Sequence, residues 1–187
     1  MKTKILQPGK YYHIYNRAKN GDPLFENEED WKFFLKLYRA HVMPVATTFA
    51  YCLLRDHLHI LVRIREDTEG SSYRPFAILF NAYAKGYGKK HGIEGRLFRY
   101  KLKRMEIRRE SVFLDLVRYI NQNACKHGYT DDIDGFRYSS FRSTITPFET
   151  MIPKDELIVF FGGITDLREE LMQPVDENNL RPFLMEE

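Results

Sequence analysis

The sequence predicts an α+β sandwich, in which helices lie mainly on one face of an antiparallel sheet of four or five strands. The predicted elements follow the order strand, helix, two strands, helix, one or two strands and helix. Two consecutive strands separated only by Arg55 and Asp56 indicate an antiparallel hairpin. Single helices between antiparallel strands are typical of this fold class. The length of 187 residues fits one ordinary domain with an appendage.

The predicted strands combine β-branched and aromatic residues with rough alternation, and they end at turn residues. They cover 11–18, 47–54 and 57–64, followed by strand-like segments at 97–102 and 104–109. The predicted helices repeat apolar residues at helical spacing. They cover 28–41, 76–92 and 112–128, the last with Ser111 as its predicted N-cap and Gly128 as its stop.

The character of the chain changes after about residue 145, so we divide it into a main domain (1–145) and an acidic C-terminal appendage (146–187) that we expect to pack on the main domain. Within the appendage, 153–163 and 166–173 are predicted to form short helices, and Asp166 and Glu169 have capping-box spacing. The remainder, 174–187, contains two prolines and is predicted to be irregular.

Charge is distributed unevenly along the chain. Residues 150–187 carry 3 basic and 9 acidic side chains, whereas residues 1–149 carry 26 basic and 17 acidic ones, a net charge of +9. Residues 85–110 alone contain 10 Lys or Arg and 3 Glu. This basic field indicates a polyanionic partner, although a lysine-rich solvated surface would have the same composition.

Other features bear on the location of the protein. No apolar run is long enough for a transmembrane helix, and the N-terminus lacks the apolar core of a signal peptide. Cys52 and Cys125 form neither a CxxC motif nor a disulfide framework. We therefore expect no membrane partner and a reduced, cytoplasmic protein.

The first candidate site is a pair of histidines in the stretch DHLHILVR (56–63). Side chains at i and i+2 of a strand point to one face, so His57 and His59 can direct two imidazoles toward one point. That geometry suits two metal ligands, and Asp56 is a candidate for a carboxylate that orients one ring. Alone, such a pair is more often two hydrogen-bonded polar residues than a metal site.

The second candidate lies on the helix predicted at 112–128, where Tyr119 and Asn123 share a face. Tyr119 alone fits a core aromatic, and Asn123 fits a residue near a helix end. Together with the histidines, they suit phosphoryl transfer on a nucleic acid. A phenolate attacks phosphorus, while a metal held by two imidazoles and an amide stabilises the developing charge.

At this point the chain resembles the single-tyrosine transposases of the HUH superfamily, which include insertion-sequence enzymes and REP-associated tyrosine transposases. The resemblance is carried by histidine–hydrophobic–histidine on a strand and by a helix with tyrosine and, four residues on, a metal-binding Gln or Asn. Further similar fragments occur in order along roughly residues 8–143, at 12–25, 50–62, 95–107 and 136–141.

The resemblance implies a ferredoxin- or RRM-like sandwich that cleaves and rejoins single-stranded or hairpin DNA through a 5′-phosphotyrosine intermediate. Tyr119 would be the nucleophile, and His57, His59 and Asn123 would bind Mg²⁺ or Mn²⁺. The protein would be a monomer or a homodimer in the bacterial cytoplasm, associated with the nucleoid when bound to DNA.

Three positions depart from the family pattern. Relatives often have Asn at the position of Asp56, Pro at the position of Ala124, and Trp at the position of Tyr138. None of these departures removes a predicted catalytic group, and they place the chain nearer the REP-associated branch.

Single-stranded DNA is bound by cationic tracks with aromatic stacking platforms. Interleaved cations and aromatics occur at 96–109, where strand alternation leaves open whether Phe98 and Tyr100 are core residues or platforms. The candidate DNA-binding residues are Arg17, Lys85, Lys89, Lys90, Arg96, Arg99, Lys101, Lys103 and Arg104. Two rival functions stay open: a non-catalytic nucleic-acid-binding module on the same fold, and a metal phosphodiesterase that uses water.

Overall fold

The computed structural model describes residues 6–19, 21–68 and 71–184. One antiparallel sheet has the strand order β2-β3-β1-β4. Its strands are β1 (Tyr11–Arg17), β2 (Ala46–Leu53), β3 (His57–Ile64) and β4 (Lys103–Ile107). The three long helices are α1 (Glu28–His41), α2 (Tyr73–His91) and α3 (Glu110–Lys126). The predicted α+β class with an antiparallel four-stranded sheet is confirmed.

Four short helices complete the described chain: α4 (Phe141–Ile145), α5 (Lys154–Phe160), α6 (Leu167–Met172) and α7 (Glu177–Leu180). None of the helices in the described residues is long and apolar enough to cross a membrane. The Asp166 carboxylate accepts hydrogen bonds from the backbone N–H groups of Arg168 and Glu169, so it caps α6 at the predicted position.

The helices lie on both faces of the sheet, whereas the sequence predicted mainly one. Alternate residues of β3 divide between two cores: Leu58 and Ile60 pack with α1 and α2, and Leu61 packs with α3. We call these sides the α1/α2 face and the α3 face. The apolar positions of a helix show that it covers a sheet, but they do not specify which side, so the sequence left this arrangement open.

Several predicted element boundaries differ from the structure, including the start of α2, which lies at Tyr73 and was predicted at residue 76. Residues 97–102 form no regular strand and contribute a single bridge, between Ala18 and Phe98. The helix α3 begins at Glu110 and its N-cap is Arg109, so the prediction of Ser111 as the cap was wrong. In the predicted irregular tail, Asp176 caps the short helix α7. Residues 185–187 of that tail lie outside the described residues.

A buried carboxylate joins α1 to α2. Asp30 accepts hydrogen bonds from the backbone N–H groups of Glu26 and Asn27, from Lys90 Nζ and from His91 Nε2, at 2.9–3.2 Å. Burial alone would raise the pKa of Asp30, but these donors hold it below its usual value. Asp30 therefore links the two helices of the α1/α2 face.

The C-terminal segment (residues 146–184) packs against α3 by polar and apolar contacts. Arg118 forms an ion pair with Glu170, Lys126 forms one with Glu177, and Gln122 donates to backbone carbonyl groups of the segment. Five side chains of the segment are buried in the core of the α3 face: Ile152, Leu157, Leu171, Leu180 and Phe183. The segment therefore supplies part of the core beneath α3.

Candidate metal and nucleic-acid site

The candidate site lies where β3 meets α3. Because strand side chains alternate, His57 and His59 both project from β3 toward the α3 face. On α3, Tyr119 and Asn123 lie one turn apart on a common face. The ring centroids of His59 and Tyr119 are 5.8 Å apart in an edge-on arrangement, and His57 contacts Asn123. The structure thus brings together the four side chains predicted from the sequence.

His57 is oriented by the carboxylate that precedes it. Its Nδ1 lies 2.8 Å from Asp56 Oδ1, which also accepts a hydrogen bond from the Tyr129 hydroxyl at 3.2 Å. The hydrogen bond with His57 is the main reason that the pKa of Asp56 falls to about 2, so the carboxylate is ionised at neutral pH. An ionised carboxylate only accepts, so it keeps the His57 proton on Nδ1 and leaves the Nε2 lone pair available.

His59 is oriented by another imidazole. Its Nδ1 lies 2.9 Å from Nε2 of His13 on β1, and the two ring planes differ by 9°. Burial lowers the pKa of His13 to about 3 and that of His59 well below its usual value, so both rings are neutral. Nε2 of His59 is buried and has no hydrogen-bond partner among the described residues.

Asn123 completes a set of inward-facing donor atoms. Its Oδ1 lies 3.3 Å from His57 Nε2, and its fully buried Nδ2 has no hydrogen-bond partner among the described residues. With the His57 proton on Nδ1, two lone pairs face each other across that 3.3 Å. Neighbouring ligands of an octahedral ion with bonds of 2.0–2.1 Å are about 3 Å apart. The spacing of these two atoms therefore fits ligands of one cation.

The donor set is limited to two imidazoles and one amide. Nowhere in the described residues do three or more His, Cys, Asp or Glu side chains form a metal-binding group. The orphaned Nε2 of His59 and the facing atoms of His57 and Asn123 fit a divalent ion that keeps open positions for phosphate oxygens. Imidazole and amide ligands are compatible with Mg²⁺ and Mn²⁺, and the imidazoles would equally accept Zn²⁺ or Ni²⁺.

Tyr119 lies at the edge of this donor set, with 8% of its surface exposed. The ammonium group of Lys126 lies 4.9 Å from the centroid of the Tyr119 ring, two turns along α3. A cation at this distance stabilises negative charge that develops on the phenol. The same lysine is paired with Glu177 of the C-terminal segment, so its charge is partly compensated.

Comparison with known proteins supports the family predicted from the sequence. No protein-family model matches the chain. It is 29% identical over 135 residues to a Haemophilus influenzae protein named as a REP-associated tyrosine transposase, covering 65% of this chain and 69% of that protein. The resemblance to the REP-associated tyrosine transposases is confirmed.

A solved structure has a similar fold. A REP-associated tyrosine transposase bound to a REP hairpin superposes on the chain with a TM-score of 0.61, covering 81% of this chain and 88% of that one. Sequence identity in the superposition is 15%, so this similarity shows the shared fold alone. The roles of individual residues rest on the geometry of the site.

A cationic cleft opens beside the candidate metal site. It has a volume of about 580 Å³ and is lined by Arg17, Ala18, Lys19, Gly21, Asp56 and Arg99. Arg17 pairs with His57 across the β1–β3 register, and Asp56 holds the His57 ring. The cleft therefore adjoins the candidate metal ligands directly.

Backbone hydrogen bonds hold the cleft in shape. The N–H of Lys19 donates to the carbonyl of Leu97 at 2.9 Å, and the N–H of Arg99 donates to the carbonyl of Arg17 at 2.8 Å. The Asn16 side-chain amide donates a hydrogen bond to the Tyr100 carbonyl and accepts one from the Tyr100 N–H. The segment predicted as a strand at 97–102 thus forms the wall of the cleft.

The predicted DNA-binding cations occupy different sides of the molecule. Lys103 pairs with Tyr15 on the α3 face, whereas its neighbour Arg104 lies over the Tyr73 ring on the α1/α2 face. Three others, Lys85, Lys89 and Lys90, lie on α2, which covers the α1/α2 face. Arg96 and Lys101 are exposed on the segment between α2 and β4. One continuous stretch of sequence thus supplies two separate cationic groups.

The contacts of Lys90 and Tyr100 decide which of them is available to DNA. Lys90 bonds Asn27, Glu29 and Asp30, so its charge is balanced within the protein. Tyr100 is half-buried, with Lys103 Nζ 4.5 Å from its ring centroid. Phe98, in contrast, is a core residue, so Tyr100 is the candidate stacking platform of this pair.

Sequence reasoning missed three residues of the site: His13, Lys19 and His127. The ring of His127 lies 4.6 Å from that of His57, at the end of α3. Its position was detectable, because Tyr119, Asn123 and His127 recur every four residues and share a helix face. His13 was also detectable, since Tyr11, His13, Tyr15 and Arg17 alternate on one face of β1.

Proposed function

We propose that the protein cleaves and rejoins single-stranded DNA beside a hairpin, with Tyr119 as the nucleophile. The observation that carries the proposal is the packing of His59, with its unpartnered Nε2, against Tyr119, beside His57 and Asn123. A divalent ion on His57, His59 and Asn123, Mg²⁺ or Mn²⁺, would supply positive charge for a non-bridging phosphate oxygen.

The reaction conserves the energy of the phosphodiester. The Tyr119 hydroxyl oxygen forms a bond to phosphorus while the bond from phosphorus to the 3′ oxygen of the preceding nucleotide breaks. The phenol proton passes to solvent, and the departing 3′ oxygen takes up a proton to become a 3′-hydroxyl. The 5′-phosphate remains on Tyr119, and attack by a DNA 3′-hydroxyl reverses the step and frees the tyrosine.

The cationic cleft is the proposed route of the cleaved strand to Tyr119. Arg17, Lys19 and Arg99 supply three positive charges next to the metal ligands. Tyr100 adds an aromatic surface near Lys103, a combination that binds single strands without regard to sequence. A similar protein was solved with a REP hairpin bound, which supports hairpin DNA as the substrate here.

The contribution of the cleft cations to DNA binding can be measured separately from that of the cations on the α1/α2 face. Lys19→Gln should reduce the slope of log affinity against log salt concentration by about 0.7, as expected for one lost contact to a single strand. Lys89→Gln removes an exposed lysine of α2, on the α1/α2 face, and should leave the slope unchanged. Equal losses in both variants would show that the DNA contacts both faces, contrary to a route confined to the cleft.

Cleavage chemistry is tested with a hairpin library that carries single-stranded flanks, incubated with Mn²⁺ or Mg²⁺ and analysed on denaturing gels. Because the 5′-phosphate stays on the protein, a 3′-end label should migrate with the protein and a 5′-end label should appear in a shorter free strand. Tyr119→Phe should abolish both products. Tyr138→Phe, which changes a tyrosine stacked on Trp31 away from the site, should retain them.

The same gels distinguish the two rival functions. A phosphodiesterase that uses water would cleave DNA without a covalent adduct and would tolerate Tyr119→Phe, but not His57→Ala. A binding module would retain the hairpin without cutting it, and neither substitution would matter. His41→Ala, at the end of α1, is the matched control for the loss of an imidazole.

A further inference from the structure

His13 is a buried histidine whose polar ring atoms are not explained by packing. It lies on β1 with no exposed surface, and its Nδ1 has no hydrogen-bond partner among the described residues. Leaving a buried polar atom unpaired destabilises a fold, so an apolar side chain would fill this position at lower free-energy cost. Within the described residues, the one hydrogen bond of the His13 side chain joins it to His59, across the β1–β3 pair.

Two ring nitrogens 2.9 Å apart can share only one proton, so this hydrogen bond permits two proton arrangements. In the first, His59 Nδ1–H donates to His13 Nε2, and the lone pair on His59 Nε2 is free to bind a cation. In the second, His13 Nε2–H donates to His59 Nδ1, and the proton on His59 Nε2 blocks coordination. Each arrangement leaves one ring N–H without an acceptor. Only the first arrangement leaves a lone pair on the unpaired Nε2 of His59, where it can bind a cation.

We propose that His13 is a positioning residue that holds the proton of His59 on Nδ1 and thereby presents the Nε2 lone pair to the divalent ion. The proposal rests on the proposed function, because it assigns a purpose to that metal site. It predicts an unequal pair of ligands: His57 is held by the ionised carboxylate of Asp56, and His59 by a neutral imidazole.

The role is measured first as metal affinity, by calorimetric titration of the DNA-free protein with Mn²⁺. His13→Phe fills the space but offers no acceptor, so affinity should fall about 10- to 100-fold, as for other residues that orient metal ligands. His13→Gln retains an acceptor oxygen and should stay within about threefold of the wild type. Tyr11→Phe, on the same face of β1, controls for the loss of a polar group from the strand, and circular dichroism verifies folding of every variant.

The proton position is measured second, by ¹⁵N NMR of the histidine rings in the Mg²⁺-saturated wild type. His59 should show a protonated Nδ1 coupled to His13 Nε2, and His41 supplies a reference ring. Protonation of His59 at Nε2, or Mn²⁺ affinity unaffected by His13→Phe, would overturn the proposal. If the wild type did not bind Mn²⁺, the predicted metal site itself would be wrong. If the affinity and NMR results were both as predicted but the protein did not cleave DNA, only the proposed function would be contradicted.

Discussion

The contact between the C-terminal segment and α3 makes a strong prediction for Leu171→Ala. The Leu171 side chain is fully buried in the core of the α3 face, and its carbonyl accepts a hydrogen bond from Gln122 on α3. Truncating a buried leucine to alanine costs about 2–5 kcal/mol. We take about 3 kcal/mol, which for a chain of this length corresponds to a decrease in Tm of roughly 6–12 °C.

The adjacent residue provides the control. Met172 is 57% exposed, so Met172→Ala should change the free energy of unfolding by less than about 0.5 kcal/mol. Urea titration followed by circular dichroism and by tryptophan fluorescence measures both variants. A Leu171→Ala loss below about 1 kcal/mol, or unfolding of the segment in a separate step before the sheet, would refute the inference that the segment and α3 share one core.

Three further predictions concern stability and reactivity. Asp30→Asn should lower the free energy of unfolding by about 2 kcal/mol. Because the pKa of Asp30 is lower in the folded than in the unfolded protein, the ionised carboxylate stabilises the fold above the unfolded pKa of about 3.9. Urea titrations should show this stabilisation decreasing as the pH falls below that value. Gly88→Ala should destabilise despite the better helix propensity of alanine, because the added Cβ would lie 2.8 Å from the carbonyl oxygen of Ile93, and an unchanged or raised Tm would contradict this. Cys52 is fully buried, which raises its pKa, so a thiol reagent should modify Cys125 first in the folded protein, as mass spectrometry of the labelled peptides would show.

Sequence periodicity predicted several elements accurately, among them β3, which carries the two histidines of the site. The bounds of β3 and α1 agree with the structure at both ends, since each has a clear period and a clear stop. The i, i+2 and i, i+4 spacings placed His57 with His59 and Tyr119 with Asn123, because those relations are local. Their meeting across β3 and α3 is a long-range contact, which the family resemblance predicted and periodicity alone did not.

Two features could not be derived from local pattern. Lys103 and Arg104 are neighbours in sequence but lie on opposite faces, and only the pairing register of β4 decides which of them faces the site. The C-terminal segment contributes buried leucines one at a time from short helices, so no hydrophobic period marks it as part of the core. The segment was predicted to pack on the main domain, but its acidic composition did not indicate that it supplies core residues beneath α3.

The covalent intermediate tests the central claim most directly. After reaction with 3′-labelled hairpin DNA and nuclease trimming, mass spectrometry should find a nucleotide joined through its 5′-phosphate to the peptide that contains Tyr119. Tyr119→Phe should lose both the adduct and the cleaved strand, and Tyr138→Phe should lose neither. Metal-dependent cleavage that continues unchanged in Tyr119→Phe would contradict the claim that this tyrosine is the nucleophile.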